Sequence, residues 1–348
     1  MKILYSFNKK GFEADYWQRE IAAASNASIQ FVCFNHDPYV ATSRYLRAQQ
    51  LDQLYYDRDP GLSHMYQDLL EVIQREKPDV LLVDNCPPYH PEFLRNVDIY
   101  KVLRVCDGPV TAYERDFAFL HAYDHILYHS RAYSRDLTMP EKLAYCGADN
   151  MSFWPLALFD VMIDPSLTED ELFAHQRTNK IVFVGAIYPE KMSLMAAIKR
   201  KYGASFKLHG LTNWKKNIYF NVKHGGRAWV RPLDFNAYPE LYRSSQIGVN
   251  AHLRGKYTVG NYRMFDLSGN GVMQITDGGE YIQDYFEPGS EILGYDSSVE
   301  ALDLIEHYLS RPKDREEVAR NAYRKVMRDH RIRKRLHDLE PLLAPALT

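Results

Sequence analysis

Between Asn261 and Glu280 the chain reads NYRMFDLSGNGVMQITDGGE, where Arg263 and Asp266 have the types and spacing to serve one ligand. A guanidinium at the start of a helix can hold a phosphate, and a carboxylate one turn later can accept from a ribose diol. Helical periodicity over 262–268 puts Met264, Leu267 and Ser268 on one face and leaves Arg263 and Asp266 for another. Asn270 and Gly271 supply a left-handed stop, and 272–275 form an apolar run that fits a buried strand. Thr276, Asp277, Gly278 and Gly279 then fall at the strand's C-terminal end, where open α/β sheets bind ligands. An ordinary helix and strand with Arg263 and Asp266 in a surface ion pair explains the same residues.

A second constellation is KIVFVGAIYPEKM at 180–192. A strand, Gly185, a loop with Pro189 and a helix carrying Lys191 in its first turn would bring a diphosphate to a helix N-terminus and an ammonium. A solvated lysine is the alternative, and neither GK[ST] nor GxGxxG is present. Asp57-Arg58-Asp59 has the DxD spacing of a metal site but reads as a polar turn, and no other set of His, Cys, Asp and Glu has metal-ligand spacing.

The elements that must position these residues alternate between strand and helix. The first half expects strands at 3–7, 29–34, 80–83, 102–106, 125–128 and 143–146, with helices at 13–24 and 65–75. After a proline-marked crossing at 152–180, strands are expected at 181–184, 206–208, 228–231, 246–250, 272–275 and 291–294, with helices at 190–202, 237–244 and 299–309. This predicts an α/β chain of two doubly wound domains, with the loops that do chemistry at the strands' C-terminal ends. Their expected spans are 1–165 and 178–328, followed by a helix and tail at 329–348. In the basic run His330–Glu340 and beyond, Ile332, Leu336, Leu339 and Leu343 recur at helical spacing, which fits a packed helix with a solvated basic face.

The 348 residues suit two cores, and a net charge of −2 gives no field that draws the whole chain to nucleic acid or an anionic membrane. The 26 tyrosines suit wet grooves or half-buried packing equally. Cys33, Cys86, Cys106 and Cys146 form no CxxC spacing and read as reduced core thiols. No stretch has the length and apolarity of a signal peptide or membrane span, so a soluble, cytoplasmic protein is expected.

Taken together, VGAIYPEK at 184–191, NYRMFDLSGNGVMQITD at 261–277 and FEPGSEILGY at 286–295 carry a family likeness. The chain resembles the two-domain GT-B glycosyltransferases. It is closer still to the group related to the spore-maturation protein CgeB, whose second domain carries a pattern like vGslYPeR, then NxRxFE, a small residue pair and a strand ending llTd. The likeness covers 180–335, and more loosely the DGP at 107–109.

The resemblance implies two Rossmann-like domains facing across a cleft, with C-terminal helices packing back. It also implies transfer of a sugar from a nucleoside diphosphate, UDP-linked, without metal or other cofactor and with retention, to an acceptor that is a small molecule, a glycan or nucleic acid. In its terms Lys191, in the loop opened by Gly185, neutralises the diphosphate, while Ala186 stands where many such enzymes have an arginine. Arg263, in the motif that Asn261 begins, faces a second phosphate, and Asp266 takes the place of the glutamate that binds the ribose. Thr258 replaces an acid near the donor sugar, which leaves the sugar and retention open. Gly255 and Gly260 would let the backbone approach the donor, and Arg231 in WVRPL borders the nucleobase.

From the first domain, Asp107 after the strand at 102–106 would orient the acceptor or act as base, unless it only forms the turn before Gly-Pro. His90 in PPYHPEF is the second candidate base, oriented by Asp84 if its loop folds back. Lys9, Lys10 and Gly11 fit a phosphate loop or a solvated turn. Ala186 and Thr258 also suit a nucleotide-binding protein of this shape without activity, and the basic C-terminal segment suits transfer to nucleic acid.

Overall fold

The computed structural model describes residues 1–84, 88–105, 113–134, 136–211, 213–252, 260–277 and 279–347; of 113–115, 280 and 281 it describes the backbone only. The chain forms two compact units, Met1–Pro155 together with Ile332–Thr348, and Leu156–Arg331.

The first unit is built on β1 (Lys2–Phe7), β2 (Gln30–Asn35), β3 (Val80–Asp84), β4 (Tyr100–Val105), β5 (His125–Tyr128) and β6 (Met151–Phe153), ordered β2-β1-β3-β4-β5-β6. All five pairings are parallel. β3 is buried throughout, as a central strand covered on both faces must be. The stretch 143–146, expected as a strand, instead ends the helix Met139–Tyr145. Thr138 and Glu141 form a capping box there with Pro140 in the first turn, and this helix-start chemistry overrides the short apolar run. The triplet Asp57-Arg58-Asp59 is a turn whose Asp59 caps the helix Pro60–Glu76, accepting from Leu62 N–H at 3.1 Å.

The C-terminal segment returns to this unit as two short helices, Ile332–His337 and Leu339–Leu343. Ile332, Leu336, Leu339 and Leu343 are all buried, as their spacing predicts, and Trp154 Nε1 donates to the Arg335 carbonyl at 2.8 Å.

The second unit is built on β7 (Asn179–Val184), β8 (Phe206–His209), β9 (Ser245–Asn250), β10 (Met273–Thr276) and β11 (Leu293–Gly294), again all parallel, in the order β11-β10-β9-β7-β8. The helix Tyr262–Gly269 turns Met264, Phe265 and Leu267 into the core. Gln274 of β10 ties that helix down, donating to Met264 O at 2.8 Å and Ser268 Oγ at 2.7 Å. Residues 228–231, expected as a strand, begin with a bend and join no ladder. Two asparagines of the helix Trp214–His224 bind their backbone instead, Asn217 at Val230 N–H and carbonyl (2.7 and 2.9 Å) and Asn221 at those of Ala228 (both 2.9 Å). No helix among the described residues is long and apolar enough to cross a membrane.

Candidate functional site

The order of the second sheet reverses between β7 and β9, so the crevice outside their C-terminal ends is where a ligand is expected. Gly185, directly after β7, has φ +142°, and a Cβ on it would lie 1.9 Å from Arg263 Nη2. Glycine thus lets a guanidinium lie against the strand end. Gly210, after β8, has φ +135° and packs so closely that a Cβ would come within 1.7 Å of the Gly185 carbonyl oxygen. Two backbone segments that only glycine permits therefore shape the floor.

Arg263 reaches this floor from the first turn of its helix. Its Nε donates to Val184 O at 2.6 Å and its Nη1 to Asn250 Oδ1 at 2.9 Å, while the guanidinium lies 4.5 Å from the centre of the Phe183 ring. Lys191, in the first turn of the helix Pro189–Tyr202, places its ammonium 5.9 Å from the same ring and 5.4 Å from that of Tyr188. Burial, reinforced by the charge of Arg263, pushes the Lys191 pKa down to about 7. Neither cation has an ion-pair partner among the described residues.

Asp266 stands one turn on from Arg263 and is buried. Burial raises its carboxyl to about 8 against the opposing pull of Arg263. The alternative of a surface ion pair does not hold: Asp266 is buried and Arg263 half-buried, and Asp266 has neither a salt bridge nor a side-chain hydrogen bond among the described residues. Asn261 is the N-cap of the helix, its Oδ1 accepting from Met264 N–H at 3.2 Å and its Nδ2 donating to Asn250 Oδ1 at 2.9 Å. It positions Arg263 through the shared Asn250.

Sequence reasoning missed two neighbours of this site, Asn250 and His252. Asn250 and Thr276 face each other across β9 and β10, and both are fully buried. His252 follows β9 and Asp277 follows β10; the imidazole Nδ1 lies 2.7 Å from Asp277 Oδ1, and the His252 N–H donates to both carboxylate oxygens at 3.0 Å. Asn250 Nδ2, His252 Nε2 and Thr276 Oγ1 are buried without a hydrogen-bond partner among the described residues. Buried polar atoms are ordinarily satisfied, so three orphans on adjoining strand ends mark a place that awaits one. The signal in the sequence is a polar residue just past each of two apolar runs.

Arg231 is exposed, its carbonyl accepting from Gly210 N–H at 3.1 Å. His90 caps the helix Pro91–Leu94: its Nδ1 accepts from Glu92 N–H at 3.2 Å, its Nε2 lies 3.1 Å from Asp52, and its ring stacks on Tyr55 at 4.0 Å. Asp84 does not orient it, being held by Arg104 Nη1 at 3.0 and 2.8 Å and by Tyr5 OH at 2.9 Å. Asp107 and the rest of DGP, Cys86, Cys106, Gly255 and Thr258 lie outside the described residues. No group of three His, Cys, Asp and Glu among the described residues could hold a metal ion.

Residues 191–341, which hold both Lys191 and the Arg263 helix, match the family model described as glycosyl transferase-like. The chain carries a glycosyltransferase domain. No curated protein matches it by sequence. Among solved structures, sucrose-phosphate synthase from Thermosynechococcus elongatus is similar with a TM-score of 0.62 at 11% identity, over 99% of this chain and 98% of that one. HepE from Anabaena in complex with UDP and glucose is similar with a TM-score of 0.62 at 10% identity, over 99% and 100%. UDP-GlcNAc 2-epimerase from Neisseria meningitidis bound to UDP-GlcNAc follows at 0.55 and 11%, over 99% and 100%. At these identities the likeness is one of fold, and the fold is that of GT-B glycosyltransferases.

Proposed function

We propose that this glycosyltransferase moves a sugar from a UDP-linked donor to an acceptor, with retention and without a metal. The observation that carries the reading is that Lys191, buried, and Arg263, half-buried, lie beside the Gly185 bend with no ion-pair partner among the described residues. Buried charge without a partner is costly, and a diphosphate supplies the missing counter-charge. As the glycosidic bond breaks, negative charge grows on the leaving diphosphate, and fixed cations in a dry site stabilise that growth more than they stabilise the ground state. Asp266, an unpaired buried carboxyl one turn away, suits a ribose diol, whose two hydroxyls would give it the donors it lacks. Binding of UDP by HepE and of UDP-GlcNAc by the epimerase, both of similar fold, supports the choice of uridine. The VGAIYPEK and NYRMFD pattern supports a place beside the CgeB-like group.

Titration calorimetry with UDP, GDP and UDP-glucose tests the reading. Binding of UDP and UDP-glucose in preference to GDP is expected, unchanged by EDTA, and no uridine nucleotide bound would reject it. Transfer with inversion of the anomeric centre would remove retention alone. Binding with neither hydrolysis nor transfer across a donor panel would leave a nucleotide-binding protein.

A further inference from the structure

We infer that His252, held by Asp277, is the residue that reads a hydroxyl of the transferred sugar; this deepens the donor-site reading above and rests on it. The two residues sit just past the C-terminal ends of adjoining strands, β9 and β10, where Asn250 and Thr276 are in register. Asp277 accepts from the His252 backbone N–H through both oxygens at 3.0 Å and lies 2.7 Å from its Nδ1. A carboxylate only accepts, so Nδ1 carries a proton, and in the tautomer with that proton alone Nε2 is an acceptor. The residue is 6% exposed, and Nε2 has no hydrogen-bond partner among the described residues.

The pair belongs to the donor site. Asp277 acts electrostatically on both Lys191 and Arg263, and Arg263 Nη1 binds the side chain of Asn250, two residues before His252. The phosphates take the two cations, and a phosphate oxygen cannot donate to Nε2. The group that meets this nitrogen must bring a proton of its own. In a UDP-sugar the donors are the uracil N3–H, the ribose diol and the hydroxyls of the sugar; the diol is assigned to Asp266, and the uracil, which UDP alone also carries, is told apart from the sugar by the comparison with UDP below. A site built to bond one hydroxyl rejects an analogue that lacks it, because its own buried acceptor is then left unpaired.

Calorimetry with UDP and UDP-glucose on the wild type and on His252→Ala and His252→Gln tests this, with UDP-N-acetylglucosamine as a second donor. UDP affinity is expected to stay within about twofold, while the sugar nucleotide that the wild type prefers over UDP loses about tenfold or more, a change of about 1.4 kcal/mol. Nitrogen-15 spectra of histidine-labelled wild type give a readout that needs no stable variant. The His252 Nε2 signal should move on adding the preferred sugar nucleotide and stay with UDP alone. Equal Nε2 shifts with both, or an unchanged preference in both variants, overturns the assignment while leaving the donor site standing. No uridine nucleotide bound by the wild type overturns both.

Discussion

Lys191 and Asp266 are displaced in opposite senses by one cause, burial, and this makes them separable by pH. With the Lys191 pKa near 7 and the Asp266 carboxyl near 8, the ligand-free site at about pH 6 holds a charged lysine and a neutral acid. A diphosphate favours the lysine's charged form, and a diol donating to Asp266 favours its carboxylate. Binding of UDP-glucose is therefore expected to release a proton at about pH 6, from Asp266, and to take one up at about pH 8.5, onto Lys191. Calorimetry in buffers of different ionisation enthalpy measures both. Asp266→Asn should abolish the release and Lys191→Met the uptake, each with a loss of about tenfold or more in affinity, about 1.4 kcal/mol. The same sign at both pH values would break the assignment. Stability gives a second check on Asp266. Its folded pKa is raised from 3.8 to about 8, so the contribution of the neutral acid is full below the ordinary carboxylate range and is lost as pH rises through about 8. Asp266→Asn should flatten this fall in thermal scans of the free protein, while weakening UDP.

The elements that deliver these residues are two strand–loop–helix units and the bend between them. Gly210 and Gly185 test that bend differently. A methyl at Gly210 meets the carbonyl oxygen of Gly185, which is backbone and cannot swing aside, so Gly210→Ala is expected to destabilise the second unit by about 3 kcal/mol or more. A methyl at Gly185 meets the end of Arg263, which can move, so Gly185→Ala should cost less, about 1–2 kcal/mol, yet dislodge Arg263 and abolish tight UDP binding. Thermal unfolding with UDP titration checks both; a Gly185→Ala protein that binds UDP like wild type would remove Arg263 from the site. At this scale the sequence was readable wherever period and punctuation agreed. The helix Tyr262–Gly269, its stop at Asn270 and Gly271, and the strand after it lie within a residue or two of expectation. It misled where a short apolar run carried no information on its partners. Residues 143–146 became helix through a cap at Thr138, before the run began, and 228–231 found hydrogen bonds in the side chains of a neighbouring helix. His252 was invisible for the same reason: its meaning lies in Asp277, on the next strand of the sheet.

Across the whole molecule the two sheets share a design and differ in how their polar strand ends are satisfied. In the first unit Asp84 binds Arg104 and Tyr5, and Ser6 lies within hydrogen-bond distance of His36 Nδ1 and Tyr89 OH at 3.0 and 2.7 Å. In the second unit Lys191 has no ion-pair partner and the Asp266 carboxyl and His252 Nε2 no hydrogen-bond partner among the described residues, which is why we propose the donor site there. The return of the chain to the first unit after Arg331 carries the last prediction. Ile332 is 6% exposed and Leu336, Leu339 and Leu343 0%, and His337 Nε2 lies 2.7 Å from the Ala24 carbonyl beyond the helix Gly11–Ala23. Burying each such side chain contributes about 1.5–3 kcal/mol, so the four together rival the roughly 5–15 kcal/mol by which a typical domain is stable. A chain ending at Arg331 is expected to lose the cooperative unfolding of its first unit and to be cut there rapidly by protease, with amides of β1 and β2 exchanging early. Leu336→Asp should produce a weaker form of the same defect, through an unpaired charge in the place of a fully buried leucine. Wild-type protease resistance and exchange in the shortened chain would show that the returning helices only decorate the unit they pack against.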